Sequence, residues 1–402
     1  MGSLHLASAS RTTPTQGLIV VEYQAHADAP VHAELELSVA GAAPAFRKSL
    51  ELGSGPVNGW LVLHGHLLPN GAVPLDVRLA AGGETLAEAS LTVHVRNEGE
   101  TARQVAASLR RSAAPLVVDE PLDSRFYDYA DPALTAWFDR APDQAEAHLT
   151  DLADRGQATP DEIEALRHFA ARGYLVVPGA VAPEHLARLN AALDDAVARK
   201  VEGYEWGVSQ RIHDLHKDYP AIMELWLHPR VLHMLELIFG EPAKPCQTLT
   251  YVFGSEQQHH QDTIALTPFP AGRMCGVWTA LEDIQPDSGE LVVWPGSHRL
   301  DRVYMASVGA RKVTDGDWSD FGEKVAPRWK EMIVAGGMQR EVYRPKAGAM
   351  LIWHENLMHG GARRIDLGKS RRSIVGHYFA RGAIAYYDAL GTPGVVYEGE
   401  TP

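Results

Sequence analysis

The sequence predicts a mainly β protein with flanking helices, in which an N-terminal antiparallel β-sandwich precedes a larger region of helices followed by strands. Three observations carry that expectation. Short runs with apolar residues at period two fill residues 17–95. A helix with a complete start signal opens at Thr159, and strand-length apolar runs resume beyond Pro245. At 402 residues the chain is also too long for one ordinary core, so it should divide.

The first region, 1–100, is built from "LIVVEYQA", "VHAELELSV", "AFRKSLEL", "GWLVLHGHLL", "PLDVRLAAGG" and "ASLTVHV". Pro, Gly and Asn separate them, as in "ADAP", "GSGPVNG" and "PNGAVP". Six or seven such strands at regular spacing give a sandwich. His64 and His66 lie two apart on one strand and are expected on its solvent face, because no third metal ligand accompanies them. Residues 101–158 mix helical stretches with proline breaks and read as a connector. Phe126, Tyr127, Tyr129, Trp137 and Phe138 are too many aromatics for a free linker, so it should pack on something.

The third region, 159–402, opens with "TPDEIEALRHFAARGYLVV". Thr159 is the expected N-cap, Pro160 the first helical residue and Glu162 the partner of a capping box. Ile163, Leu166 and Phe169 share a helical face, Gly173 ends the helix, and "YLVV" is a strand. A second helix follows in "APEHLARLNAALDDAVARK", with Leu186, Leu189, Leu193 and Val197 on one stripe. The runs "CQTLTYVF", "GVWTALEDI", "LVVWPGS", "MLIWHE" and "RSIVGHYFA" are strands. Helices bracing an antiparallel sheet or closed roll is the plan this order implies.

Composition narrows the function. The formal net charge of −14 argues against nucleic acid or an anionic membrane as partner. No run approaches the length of a membrane span, and the start lacks the basic flank and apolar core of a signal peptide. Cys246 and Cys275 cannot make a disulfide framework, which favours a reducing, cytoplasmic setting.

The chemistry concentrates in "HHQDTIALTP", residues 259–268. His260 and Asp262 are two apart, so on a strand both face one way, with α-carbons about 7 Å apart. An imidazole and a carboxylate suit a first-row divalent metal but leave its site incomplete. The candidate third ligand is His359, in "GAMLIWHENLMHGGARR". Two imidazoles and a carboxylate make a facial triad with three open positions, as non-haem Fe(II) oxygenases require.

The segments "HFAARGYLVVPGAVAPEHLARLNAAL", "HHQD", "GVWTALEDIQPDSGELVVWPGSHR", "PKAGAMLIWHENLMHGGARR" and "SRRSIVGHYFA" occur in that order. Together they resemble the phytanoyl-CoA dioxygenase (PhyH) family of Fe(II)- and 2-oxoglutarate-dependent oxygenases, over roughly residues 159–387. The resemblance implies a C-terminal double-stranded β-helix (a jelly roll, cupin-like) and does not reach the first 150 residues. It makes His260, Asp262 and His359 the catalytic metal ligands, and His354 a bystander. It places Arg371, with Arg372 as the neighbouring alternative, on the distal carboxylate of 2-oxoglutarate. Gln261 and Trp278 fall where the family lines the cosubstrate pocket. Where the family often has a serine two residues after the distal histidine, this chain has Gly361. Thr248 or Tyr251 is the expected replacement hydroxyl. His213 and His216 lie where relatives bind substrate, and Arg363 could meet an acidic one.

The implied cofactors are Fe(II), 2-oxoglutarate and O2, and the implied reaction is oxidation of a small-molecule substrate. An intact Asp262 favours hydroxylation of an unactivated C–H over halogenation, with succinate and CO2 as coproducts. Two rival readings stand beside it: a cupin-type metal enzyme that does not use 2-oxoglutarate, and a binding module with a degenerate roll. The sandwich could form a homodimer contact or hold a carrier-linked or sugar-bearing substrate. Among the remaining residues, His259 is read as a supporting or surface residue, His298 as a turn residue and His377 as core-facing. The stretch "GDWSDFGEKVAPRWKEM" is a lid-type insertion.

Overall fold

The computed structural model describes residues 2–53, 55–397 and 399. The chain is mainly β with helices. It divides into two compact units, residues 1–133 with 381–385, and residues 134–380 with 386–402.

The first unit contains strands β1 (Gly2–Ala7), β2 (Leu18–Ala27), β3 (Val31–Val39), β4 (Phe46–Leu52), β5 (Val57–His64), β6 (Gly71–Ala81), β7 (Glu84–Val95) and β8 (Val117–Val118). They form two four-stranded antiparallel sheets, ordered β1-β2-β5-β8 and β4-β3-β6-β7. Alternate residues of both sheets meet in one apolar core, with Ile19, Val21, Leu61 and Leu63 from one and Leu35, Leu37, Leu75 and Leu79 from the other. The alternation seen in the sequence is therefore the alternation between core and solvent. Helix α1 (Glu100–Arg111) closes the unit.

His64 and His66 depart from expectation, for both are buried rather than solvent-facing. Strand β5 ends at His64, whose Nδ1 meets Pro115 O at 2.7 Å and whose Nε2 meets the Tyr127 hydroxyl at 3.1 Å. His66 lies in the turn that follows, so period two no longer applies to it.

The second unit begins with α2 (Pro142–Asp154) and α3 (Pro160–Arg172). The capping box of α3 forms as the sequence indicates, Thr159 accepting from the Glu162 N–H and Glu162 accepting from the Thr159 N–H. Gly173 ends α3 at φ 82, and a side chain there would also strike the His298 ring. Strand β9 (Tyr174–Val177), helix α4 (Pro183–Ala198), strand β10 (Ile212–His213) and helices α5 (Pro220–Trp226) and α6 (Pro229–Phe239) follow. Then come β11 (Ala243–Tyr251), β12 (Thr267–Phe269), β13 (Met274–Ala280), β14 (Leu291–Val293), helix α7 (Ala326–Ala335), β15 (Glu341–Tyr343), β16 (Met350–His354), β17 (His359–Gly361) and β18 (Ser373–Ala380).

A six-stranded antiparallel sheet has the order β10-β11-β18-β13-β16-β9, and a three-stranded one the order β15-β14-β17. Leu291 and Val293 of the small sheet share a core with Leu249, Trp278, Leu351 and Val375 of the large one. Within the stretch 101–158, Trp137 and Phe138 are buried in this unit, where the Trp137 indole donates to Ile238 O and Phe138 meets Phe169 edge-on. Both cysteines are free and buried. Among the described residues no helix is long and apolar enough to cross a membrane.

Candidate active site

The loop after β11 and the start of β17 lie side by side because two main-chain hydrogen bonds join His260 to His359. The His260 N–H donates to His359 O at 3.0 Å, and the His359 N–H donates to His260 O at 3.1 Å. Two residues 99 apart are thereby held as a closely paired couple, with ring centroids 4.3 Å apart.

Each imidazole is oriented by its own loop. His260 Nδ1 lies 2.8 Å from Gln258 O, and His359 Nδ1 lies 3.0 Å from Leu357 O. A carbonyl can only accept, so in both rings Nδ1 carries a hydrogen and Nε2 is the atom turned toward the carboxylate. Asp262 Oδ1 faces both, at 3.5 Å from His260 Nε2 and 3.7 Å from His359 Nε2. All three ligand atoms lie within 4.8 Å of one another, the only such group of three found among the described residues. Burial alone would raise the Asp262 carboxyl, but His359, His260 and His377 outweigh it and hold the group well below the usual carboxylate range. Burial pushes His359 down to about 4, against the pull of Asp262. A carboxylate and neutral imidazoles are the protonation states that bind a metal.

The other carboxylate oxygen is occupied. Trp353 Nε1–H donates to Asp262 Oδ2 at 2.8 Å, and His377 Nε2 stands 3.6 Å from the same atom. The indole fits because Gly276, its cross-strand neighbour, has no side chain; a Cβ there would lie 2.3 Å from the Trp353 ring. His377, expected to face the core, lines the cavity onto which the triad opens, with its Nδ1 3.2 Å from Gln247 Nε2.

The triad opens into a cavity of about 690 Å3. Arg371 lines it while being only 3% exposed, and lies 5.2 Å from the Tyr251 ring and 5.6 Å from the Trp278 ring. Its Nη1 donates to Ser373 Oγ at 2.8 Å, its Nε has no acceptor, and no described carboxylate is within ion-pair distance. Burial draws this guanidinium down to about 10. The Trp278 indole N–H, in the same cavity, is also without an acceptor. A buried cation and a buried donor left unmatched are costly, so this end of the cavity is built for an anion. Arg372 points elsewhere, to Asp194 and Asn190.

Several expected residues are placed differently. Tyr251 and His213 line the cavity, but Thr248 and His216 do not. On β11 the cavity-facing residues are Gln247, Leu249 and Tyr251, and period two turns Thr248 to the helical side. There Thr248 Oγ1 meets His216 Nδ1 at 2.9 Å, and the His216 ring packs on Trp226. Arg363 is exposed and outside the cavity. Gln261 is fully buried at the cavity wall with both ends of its amide engaged. Its Nε2 donates to Asp301 O, while its Oε1 accepts from Trp329 Nε1 at 3.0 Å and from the Val303 N–H. His298 is buried and meets Ala170 O.

Sequence reasoning missed Ser255 and Gln257. Ser255 Oγ sits 2.7 Å from where a Cβ on Gly361 would lie, so the glycine makes room for the segment that brings a serine hydroxyl into the cavity. Gln257 Nε2 lies 3.3 Å from His260 Nε2. The unusual Gly361 was the available signal for the first; nothing local marked the second.

A sequence profile described as Phytanoyl-CoA dioxygenase (PhyH) matches residues 169–373, about half of the chain. An ectoine dioxygenase of Nocardia farcinica (strain IFM 10152) is 23% identical over 224 residues, covering 50% of this chain and 72% of that protein. A probable phytanoyl-CoA dioxygenase of Caenorhabditis elegans is 24% identical over 261 residues, 57% of this chain and 78% of that one. Among solved structures, the non-heme alpha ketoglutarate dependent carbocyclase SnoK from nogalamycin biosynthesis aligns with a TM-score of 0.48 at 20% identity, over 59% of this chain and 94% of its own.

Proposed function

This chain belongs to the phytanoyl-CoA dioxygenase (PhyH) family, and from that membership we propose that it is an Fe(II)- and 2-oxoglutarate-dependent dioxygenase. It hydroxylates an unactivated C–H of a small polar molecule or natural-product intermediate. The observation that carries the reading is the shared cavity: two imidazoles and one carboxylate with their ligand atoms gathered at one place, and a buried arginine without a carboxylate partner at another.

The residues fit the cofactors they would hold. His260, Asp262 and His359 supply three ligands of the type non-haem Fe(II) takes and leave the remaining positions open. Arg371 presents a planar fork suited to the distal carboxylate of 2-oxoglutarate, with Trp278 and Tyr251 beside it. Bound iron and 2-oxoglutarate supply, with O2, the oxidising power for C–H cleavage, the oxoacid leaving as succinate and CO2. The chain's own contribution is to fix the ligand geometry, neutralise the cosubstrate's far charge and keep the cavity walls dry through Trp353, Trp278 and Leu291. Asp262, by keeping its place in the triad, favours hydroxylation over halogenation.

We assign this activity to residues 159–402, folded as a jelly roll from the six- and three-stranded sheets, with 101–158 as connector and 1–100 as a sandwich. A cupin-type metal enzyme without 2-oxoglutarate would have no use for Arg371, and a degenerate roll none for three intact ligands.

Anaerobic titration of the apoprotein with Fe(II) and then 2-oxoglutarate tests the reading through the weak visible charge-transfer band of the complex. The band should form in wild type, vanish in His359→Ala, and need far more 2-oxoglutarate in Arg371→Ala. Iron binding in wild type with no band at any 2-oxoglutarate concentration would overturn it.

A further inference from the structure

The cavity is larger than a five-carbon diacid needs and falls within the range of sites that enclose drug-sized ligands. What remains has a definite character. Beyond the metal, its wall is aromatic and apolar, made by Trp318, Phe321 and Trp329 from one segment and by Leu266 and Leu390. Phe321 meets both tryptophans edge-on, at 5.3 Å and 5.5 Å between ring centroids, so the three rings pack as one aromatic cluster at the wall.

The charge of the cavity is one-sided. In a protein of net charge −14, the only carboxylate lining it among the described residues is Asp262, which the oxygenase reading already assigns to the metal. Two arginines line it, Arg371 and Arg211. Arg211 is half-buried and has no carboxylate within ion-pair distance among the described residues; its one hydrogen bond is a long one, 3.5 Å from Nη1 to the Tyr251 hydroxyl. Tyr251 thus stands between two unpaired guanidinium groups, with Arg371 against its ring and Arg211 at its hydroxyl. The two differ in access. Arg371 is at the closed end, while Arg211 adjoins His213, which is exposed.

We propose that the substrate is an organic anion with a flat apolar body, its carboxylate or equivalent acidic group held by Arg211 and its ring face laid on the Trp318–Phe321–Trp329 surface. The proposal rests on the oxygenase reading for the assignment of Arg371, and adds a second anion site with a different ligand. A cationic substrate is disfavoured on the same grounds, since among the described residues no carboxylate other than Asp262 lines the cavity to meet it. A guanidinium–carboxylate pair here gains strength from the partly dehydrated cavity and weakens with salt far less than one on the surface.

The test uses three probes of one shape: 2-naphthoate, neutral 2-naphthamide and the cation 2-naphthylmethylammonium. Each is titrated anaerobically into holoenzyme saturated with Fe(II) and 2-oxoglutarate, and binding is read by tryptophan fluorescence and by the shift of the charge-transfer band. The anion should bind roughly ten-fold more tightly than the amide, as a charge-assisted pair implies, and the cation least. Arg211→Gln should erase the preference while leaving the 2-oxoglutarate requirement within about two-fold, and Arg211→Lys should restore part of it. Equal binding of anion and amide, or a preference that survives Arg211→Gln, would overturn the proposal. So would a rise in the 2-oxoglutarate requirement of Arg211→Gln matching that of Arg371→Gln, which would give Arg211 to the cosubstrate. If wild type shows no charge-transfer band, the iron reading fails separately, and the fluorescence comparison in Arg371→Gln still decides Arg211.

Discussion

The indole N–H of Trp353 donates to Oδ2 of Asp262 at 2.8 Å, while Oδ1 of the same carboxylate faces the His260 and His359 imidazoles. One oxygen is spoken for by the protein, so the other is the one offered to a metal, and a one-oxygen contact leaves coordination positions open for other ligands. Trp353→Phe keeps the ring and removes the donor. Fe(II) affinity should fall by roughly 10- to 100-fold, as for other residues that orient a ligand, measured by anaerobic metal titration. Gly276→Ala should produce the same loss from the opposite side, because its new methyl meets the Trp353 ring.

Arg371→Lys retains a positive charge but not the fork. The concentration of 2-oxoglutarate needed for half-maximal band intensity should rise by about 10-fold or more, with Fe(II) affinity unchanged. An equal loss of iron binding would point to a structural role instead.

The hydrogen bond from Trp329 to Gln261 ties helix α7 to the residue lying between His260 and Asp262. Trp329→Phe removes it and leaves the Gln261 oxygen with the Val303 N–H alone. The cost to stability should be about 1 kcal/mol, and amide hydrogen exchange should quicken across 321–335. Iron binding should stay close to wild type, since both ligand loops are held by their own main chain.

Acid should unfold this protein partly through its buried histidines. Burial, assisted by His354, pushes His298 down to about 3, against Asp139. Below pH 6.5 the unfolded chain protonates this ring and the folded chain does not. Its contribution is therefore intact above pH 6.5 and is lost at roughly 1.4 kcal/mol per unit as pH falls toward 3. Chemical denaturation of the metal-free protein at pH 7.5, 6.0 and 5.0 should show that decline. In His298→Asn the slope should be shallower, whatever the variant's stability at pH 7.5.

The parts of this site that were legible in the sequence are those where spacing alone decides geometry. The capping box at Thr159 and Glu162 forms from local backbone and the strands of the first unit follow their alternation, whereas His260 and Asp262, expected on a strand, meet with His260 on a loop and Asp262 at the start of a short 3-10 helix. Arg371 and His359 needed the ordered motifs of a family, because nothing near either residue says which distant segment it will meet. Thr248 failed for a definite reason: a strand buried on both faces carries no polar alternation to tell inside from outside, and β11 is almost wholly buried. Gln261 was assigned to the cosubstrate by position, yet its amide is consumed by a segment 40 to 68 residues further on. Ser255 could have been reached only by asking what a glycine at 361 leaves space for.

The coupling of His260 to His359 runs through N–H and C=O groups that every residue except proline possesses. The scaffold is thus indifferent to what stands at those two positions. Exchange of either imidazole for a carboxylate, an amide or a thiol would alter the donor set while leaving both main-chain hydrogen bonds available. A lineage carrying this pairing can try new inorganic chemistry one side chain at a time, with the positions of both ligands inherited from the peptide backbone.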